Sequence, residues 1–187
     1  MKEVNYAQML IKDGKIEVAR DVLAELLQSD PQNQEALFHL GICYSELGNP
    51  DEAVQTFSEC IKYHPDYSNA YAALGYAHAL LQQNGQAREN FLKALELDPL
   101  NAYALRNLGN LYGIEKDYDR AIECFGKLFE ANPEDQETAY RIGYAYFQAG
   151  RLDMAEKYIR TAIDLDRSTQ LAEIAMELMR DIVDSNR

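Results

Sequence analysis

Apolar residues along this chain return every three or four positions, the spacing that places them on one face of an α-helix. Leu37, Leu40, Gly41 and Tyr44 mark one such face, and Ala53, Phe57, Cys60 and Ile61 mark a second. Between them, Gly48-Asn49-Pro50-Asp51-Glu52 supplies a C-terminal glycine, a candidate N-cap at Asn49, a proline suited to a first turn and two acids favoured by the helix dipole. His64-Pro65 ends the second helix, because the residue before a proline avoids the helical region. The segment predicts helix, turn, helix.

That unit recurs. Asp30-Pro31, His64-Pro65, Asp98-Pro99 and Asn132-Pro133 are each 34 residues apart, and one more step reaches Asp166-Arg167, where the aspartate persists without the proline. Other columns hold the same register: Ala19, Ala53, Ala87, Ala121 and Ala155; Ala7, Gly41, Gly75, Gly109 and Gly143; Leu23, Phe57, Phe91, Phe125 and Ile159. Leu40, Leu74, Leu108 and Ile142 form a further column, as do Tyr44, His78, Tyr112 and Tyr146. A glycine inside a helix costs about 1 kcal/mol relative to alanine, so four at one phase require a packing reason. Close crossing of two helices, small residues against large, supplies it.

The residues in ALFHLGICYSELGNPDEAVQTFSECIKYHP and YAALGYAHALLQQNGQARENFLKALELDP resemble the tetratricopeptide repeat family in their Leu-Gly, Tyr, Ala, Phe and terminal Pro positions. The resemblance covers the chain to about residue 169. It implies an all-α fold, a right-handed superhelical solenoid of helix-turn-helix hairpins forming a single domain over 1–187. The repeats fall at approximately 1–33, 34–67, 68–101, 102–135 and 136–169. The first begins at Met1 and carries Ala7 in the glycine column; the fifth lacks the closing proline. Beyond them, Leu171, Ile174, Ala175, Leu178, Ile182 and Val183 keep helical spacing opposite Glu173, Glu177, Asp181 and Asp184, predicting a capping helix over 170–185. An amphipathic arm that docks a partner or a second copy is the alternative for this segment.

Composition narrows the chemistry. The net charge of −13 disfavours nucleic acid, whose affinity comes from Lys and Arg on phosphates, and disfavours anionic membranes likewise. No run of apolar residues reaches the length of a membrane span and the start lacks a secretory signal, so a cytoplasmic location is the default expectation. Cys43, Cys60 and Cys124 form no CxxC pair and read as small packing residues. His39, His64 and His78 lack metal-ligand spacing, and His78 falls in the aromatic column. Gly109-Asn110-Leu111-Tyr112-Gly113 matches GxxxG in polar surroundings too short for lipid, without the strand that a phosphate loop needs. Neither an enzyme nor a cofactor or metal site is expected.

The resemblance implies that the first helices of successive repeats line a concave surface that receives a peptide or helix of a partner protein. By position that surface takes Val4, Asn5, Gln8 and Ile11, then Glu35, Phe38, His39 and Ile42, then Asn69, Ala72, Ala73, Tyr76 and Leu80. Tyr103, Arg106, Asn107, Asn110 and Gly113 follow, then Glu137, Tyr140, Arg141, Tyr144 and Phe147. Phe38, His39, Ile42, Tyr76, Tyr103, Arg106, Asn107, Asn110, Tyr140, Arg141, Tyr144 and Phe147 are the expected peptide contacts. The set runs from apolar to a mixture of Arg, Asn and aromatic residues. Two readings stand for Arg106 and Arg141: they pair with acids such as Glu137, or they anchor an acidic side chain or C-terminal carboxylate of a peptide. The clamp for chaperone C-termini does not fit, since Leu171, Ala175 or Glu137 falls where a base is required. A monomeric adaptor is the leading expectation, a scaffold that self-assembles by homo-oligomerisation the first alternative, and a small-ligand carrier or enzyme the last.

Overall fold

The structure, a computed structural model, describes residues 2–185; Met1, the expected start of the first repeat, and residues 186–187 lie outside the described residues. Eleven α-helices are present among the described residues, joined by short turns: α1 (Lys2–Lys12), α2 (Ile16–Ser29), α3 (Gln34–Glu46), α4 (Pro50–Tyr63), α5 (Ser68–Leu80), α6 (Asn84–Leu97), α7 (Ala102–Ile114), α8 (Tyr118–Ala131), α9 (Gln136–Gln148), α10 (Leu152–Leu165) and α11 (Gln170–Ser185). The chain divides into two compact units, Met1–Ala104 and Leu105–Arg187. No helix among the described residues is long and apolar enough to cross a membrane.

In the first unit each helix packs on the next in sequence, and α1, α3 and α5 also touch in turn. Its core begins with Val4, Ala7, Leu10, Ala19, Leu23, Ala36, Leu40 and Cys43 in one cluster. It continues through Ala53, Phe57, Ala73, Leu74 and Ala77. In the second unit α8, α9, α10 and α11 pack consecutively, and α11 also reaches α9. There Ala155, Ile159, Ala175, Leu178 and Ile182 are buried together, with Phe147 and Tyr140 packed against them.

The glycine column has a direct steric cause. A Cβ on Gly41 would meet the Phe57 ring at 2.5 Å, one on Gly75 the Phe91 ring at 2.7 Å, one on Gly109 the Phe125 ring at 2.8 Å, and one on Gly143 the Ile159 side chain at 2.7 Å. The large residue of each second helix therefore lies directly against bare backbone of the first. In α1 and α2 the corresponding pair is Ala7 and Leu23, both buried in one cluster.

Two further columns at the same period shape the turns. Gly14, Gly48 and Gly150 have φ of +74°, +74° and +72°, and Gln82 and Lys116 hold the same left-handed position at φ 59° and 63°. The residue after each donates its N–H back to a carbonyl five positions earlier, as Asn49 does to Tyr44 at 2.9 Å and Gln83 to His78 at 2.9 Å. Asn33, Asn101, Asp135 and Thr169 form the second column and cap the following helices: their side chains accept from the N–H of Ala36 at 3.0 Å, Ala104 at 2.9 Å, Glu137 at 3.1 Å and Ala172 at 3.1 Å. Asn49, the N-cap expected from the sequence, stands at the start of α4 but makes no side-chain capping bond; Pro50 occupies the first turn.

Candidate functional site

The expected contact residues separate into two cavities, one in each unit, and a remainder that packs elsewhere. In the first unit, α3 presents Phe38, Ile42, Ser45 and Glu46, and α5 presents Asn69, Ala73 and Tyr76. Together with Phe57 and Tyr103 they enclose ≈ 350 Å³. Phe38 meets Tyr67 edge-on at 5.3 Å between ring centroids, and Tyr76 meets Tyr103 edge-on at 5.8 Å. Neighbours on each helix share a face because residues three and four apart lie above one another.

His39 is held differently. The Gln8 amide donates to its Nε2 at 2.7 Å, so the ring is neutral there and accepts. Burial lowers the imidazole from its ordinary value, against an opposing pull from Glu35. His39 is thus fixed between α1 and α3 and does not line the cavity. Val4 and Ala72, placed by position on the contact surface, are 1% and 0% exposed and belong to the core instead.

In the second unit the cavity is ≈ 430 Å³ and is lined by Gly109, Asn110, Gly113, Ile114, Tyr118, Ala121, Phe125, Tyr140, Arg141, Tyr144 and Ala145. Tyr140 and Tyr144 stack one turn apart on α9, with centroids 6.2 Å apart and ring planes 23° from parallel. Burial raises the Tyr140 phenol, with Tyr144 adding and Arg141 opposing. Gly113 opens the space, since a Cβ there would meet nothing within 4 Å.

Both arginines pair with an acid, the first of the two sequence readings. Arg141 donates from Nε and Nη2 to Glu137 Oε1 at 3.0 and 2.5 Å and from Nη1 to Asn110 Oδ1 at 2.8 Å. The pairing with Glu137 is therefore present, in a half-exposed setting where such a pair contributes up to about 1 kcal/mol. Arg106 approaches Asp135 only at 3.5 Å, and its buried Nε has no hydrogen-bond partner. Asp135 is otherwise occupied, accepting from Glu137 N–H and from Thr138 Oγ1 at 2.6 Å. Arg106 and Asn107 do not line the cavity, and Phe147 packs into the cluster beneath α11.

The remaining candidate chemistry is absorbed by packing. Cys43, Cys60 and Cys124 are buried free thiols pushed up to about 11 by that burial. His78 is buried, and its Nδ1 donates to Gln83 Oε1 at 2.6 Å. Among the described residues no group of His, Cys, Asp or Glu is arranged to hold a metal ion. Sequence reasoning passed over Tyr118, Ile114 and Glu46, which line the cavities; the signal available was their register, since Ile114 and Glu46 end first helices and Tyr118 opens a second.

Models of the tetratricopeptide repeat family match residues 10–75 and 114–178, residues 90–123 and residues 68–99. Among solved structures, MamA is similar at 27% identity and a TM-score of 0.75, over 85% of this chain and 93% of that one. TTC0263, a thermophilic TPR protein of Thermus thermophilus, is similar at 19% identity and a TM-score of 0.75, over 97% of each chain. YrrB, a TPR protein with an unusual peptide-binding site, is similar at 22% identity and a TM-score of 0.72, over 95% of this chain and 91% of that one. The last two likenesses concern the fold alone. No curated protein matches the chain.

Proposed function

The chain belongs to the tetratricopeptide repeat family, and on that premise we propose that it is a non-catalytic scaffold that holds an extended peptide or a helix of a partner protein. The observation that carries this reading is the second unit's cavity, where the Asn110 amide, the Arg141 guanidinium and the stacked Tyr140 and Tyr144 rings converge on a space left open at Gly113. Rigid aromatic walls give contact area at low entropic cost, and the amide and guanidinium hydrogen-bond a peptide backbone or carboxylate. A carboxylate arriving here has to displace Glu137 from Arg141. YrrB, described as carrying a peptide-binding site on a similar fold, supports the reading.

Selection of peptides from a random displayed library, followed by fluorescence-polarisation titration, tests the proposal. Tyr144→Ala and Arg141→Ala should each weaken the selected peptides by at least about tenfold, since charge-assisted contacts contribute about 1.5–3 kcal/mol and aromatic anchors about 2 kcal/mol or more. Undiminished affinity in both variants, with unchanged helical circular dichroism, removes the site from consideration.

The self-assembly alternative is favoured by one observation. Tyr6 and Met9 are each 49% exposed, whereas their counterparts one and two repeats on, Leu40 and Leu74, Cys43 and Ala77, are 7% exposed or less. Sedimentation at rising concentration decides between the readings: association that Tyr6→Lys plus Met9→Lys abolishes supports the scaffold of many copies, and a monomer throughout excludes it.

A further inference from the structure

The two cavities occupy equivalent places in the repeat but are opposite in charge. Positions 68 residues apart, two full periods, pair Ile42 with Asn110, Phe57 with Phe125, Tyr76 with Tyr144, Glu46 with Ile114, and Ala73 with Arg141. The first unit's cavity thus gains a carboxylate where the second has an aliphatic residue, and loses the base that the second carries. No Lys or Arg lines it, and Glu46 has no ion-pair partner among the described residues.

The walls suit a cation. Phe38 and Phe57 form one tilted pair with centroids 6.1 Å apart, and Tyr76 and Tyr103 form an edge-on pair at 5.8 Å, so rings at several orientations border a space of ≈ 350 Å³. Ring faces carry the negative end of the aromatic quadrupole and attract ammonium and guanidinium groups within about 6 Å. Glu46 ends α3 and is exposed, which puts its carboxylate at the mouth, where an entering cation keeps a counter-charge instead of being stranded. An arriving carboxylate meets the reverse: repulsion from Glu46 and no cationic donor to hold it.

We propose that the cavity bordered by Phe38, Phe57, Tyr76, Tyr103 and Glu46 receives a basic side chain, arginine by preference, from the partner protein that this scaffold holds. The preference for arginine follows from its planar guanidinium, which stacks on a ring and offers a carboxylate two parallel N–H groups. Burial raises the Tyr103 phenol, Tyr76 and Glu46 adding to the effect, so the ring stays neutral and already feels the Glu46 charge. The inference rests on the reading of this chain as a binding scaffold, but it concerns a different unit and a different charge.

Titration of the full chain with N-acetyl-arginine amide, followed by NMR of the tyrosine and phenylalanine ring signals, tests it against N-acetyl-citrulline amide, the neutral analogue of the same shape. The expected result is perturbation of the Tyr76 and Tyr103 signals, with arginine amide binding about tenfold tighter than citrulline amide. Glu46→Gln, a substitution at an exposed helix end, should reduce arginine amide to the citrulline level while the circular dichroism stays unchanged. Equal binding of the two amides, retention of the preference in Glu46→Gln, or perturbations confined to other rings each overturn the proposal. Arg141→Ala should leave arginine amide binding unaltered, so failure of the second unit's peptide site is read separately from failure here.

Discussion

Replacing Gly75 by alanine sets two effects of known sign against each other. Alanine is better than glycine in a helix interior by about 1 kcal/mol. At this position, however, the new Cβ falls 2.7 Å from both Cδ1 and Cε1 of Phe91 and 3.0 Å from the carbonyl oxygen of Ala87. Phe91 is fully buried, so its ring cannot swing into solvent, and the Ala87 oxygen belongs to the backbone of α6. Overpacking of this kind costs about 1–3 kcal/mol, and the strain at two ring atoms and a carbonyl places Gly75→Ala in the upper part of that range. The net expectation is a loss of about 1–2 kcal/mol, or roughly 2–8 °C in Tm for a chain of this length. Gly126→Ala is the matched control, because Gly126 lies within α8 and a Cβ there meets nothing within 4 Å; it should gain up to about 1 kcal/mol. The first repeat supplies the rescue, since it pairs Ala7 with Leu23. Phe91→Leu alone leaves a cavity and costs about 1 kcal/mol or more, but in the Gly75→Ala background the methyl fills part of that space. The double variant should therefore be more stable than the sum of the two losses by about 1 kcal/mol or more. Urea denaturation followed by circular dichroism at the helical minimum measures all four proteins. Stabilisation of Gly75→Ala equal to that of Gly126→Ala, or additivity of the pair within about 0.5 kcal/mol, refutes the steric account.

Three further outcomes follow from the same structure. Gln82→Gly and Lys116→Gly should each stabilise by about 1 kcal/mol in thermal denaturation, because both residues hold a left-handed φ that penalises a side chain. Asn101→Ala should destabilise by about 2 kcal/mol or more: Asn101 is only 4% exposed, caps α7 through Ala104 N–H and donates to Asn69 Oδ1 at 2.8 Å, so its loss also takes away that donor to Asn69 Oδ1. His39 should make the chain less stable as the pH falls. Its folded value lies below the unfolded one of about 6.5, so the unfolded state binds more protons, and stability contributed above that value is lost as the pH drops towards the folded one. Urea midpoints on the two sides of that value, at about pH 7.5 and about pH 5, should therefore differ less in His39→Gln than in the parent, and an unchanged difference rejects the assignment.

Periodicity alone located the hairpins. The prolines and the alternating small and large columns are local and recur along the chain, so each copy restates the same helix, turn and crossing. The capping and left-handed columns were equally periodic but harder to read, because Asn33, Asn101, Asp135 and Thr169 share a hydrogen-bonding role without sharing an identity, and Gln82 and Lys116 disguise a glycine position. Register likewise assigned faces to the first helices, and it erred at Val4 and Ala72, where packing by the neighbouring helix and not helical phase decides exposure.

The repeat, the helical class and the candidate contact columns were legible before any folding because they depend on spacing along one helix. Which members of those columns meet was settled by packing. Packing tied Arg141 to Asn110, left Arg106 Nε without a partner, tied His39 to Gln8 and sent Phe147 beneath α11. It also set Glu46 beside an aromatic cavity with no base lining it. Most of these outcomes turn on side chains from different helices, often about one repeat apart in the chain, competing for the same space and the same hydrogen bonds. Spacing along a single helix carries no record of that competition, which is resolved only when the helices come together.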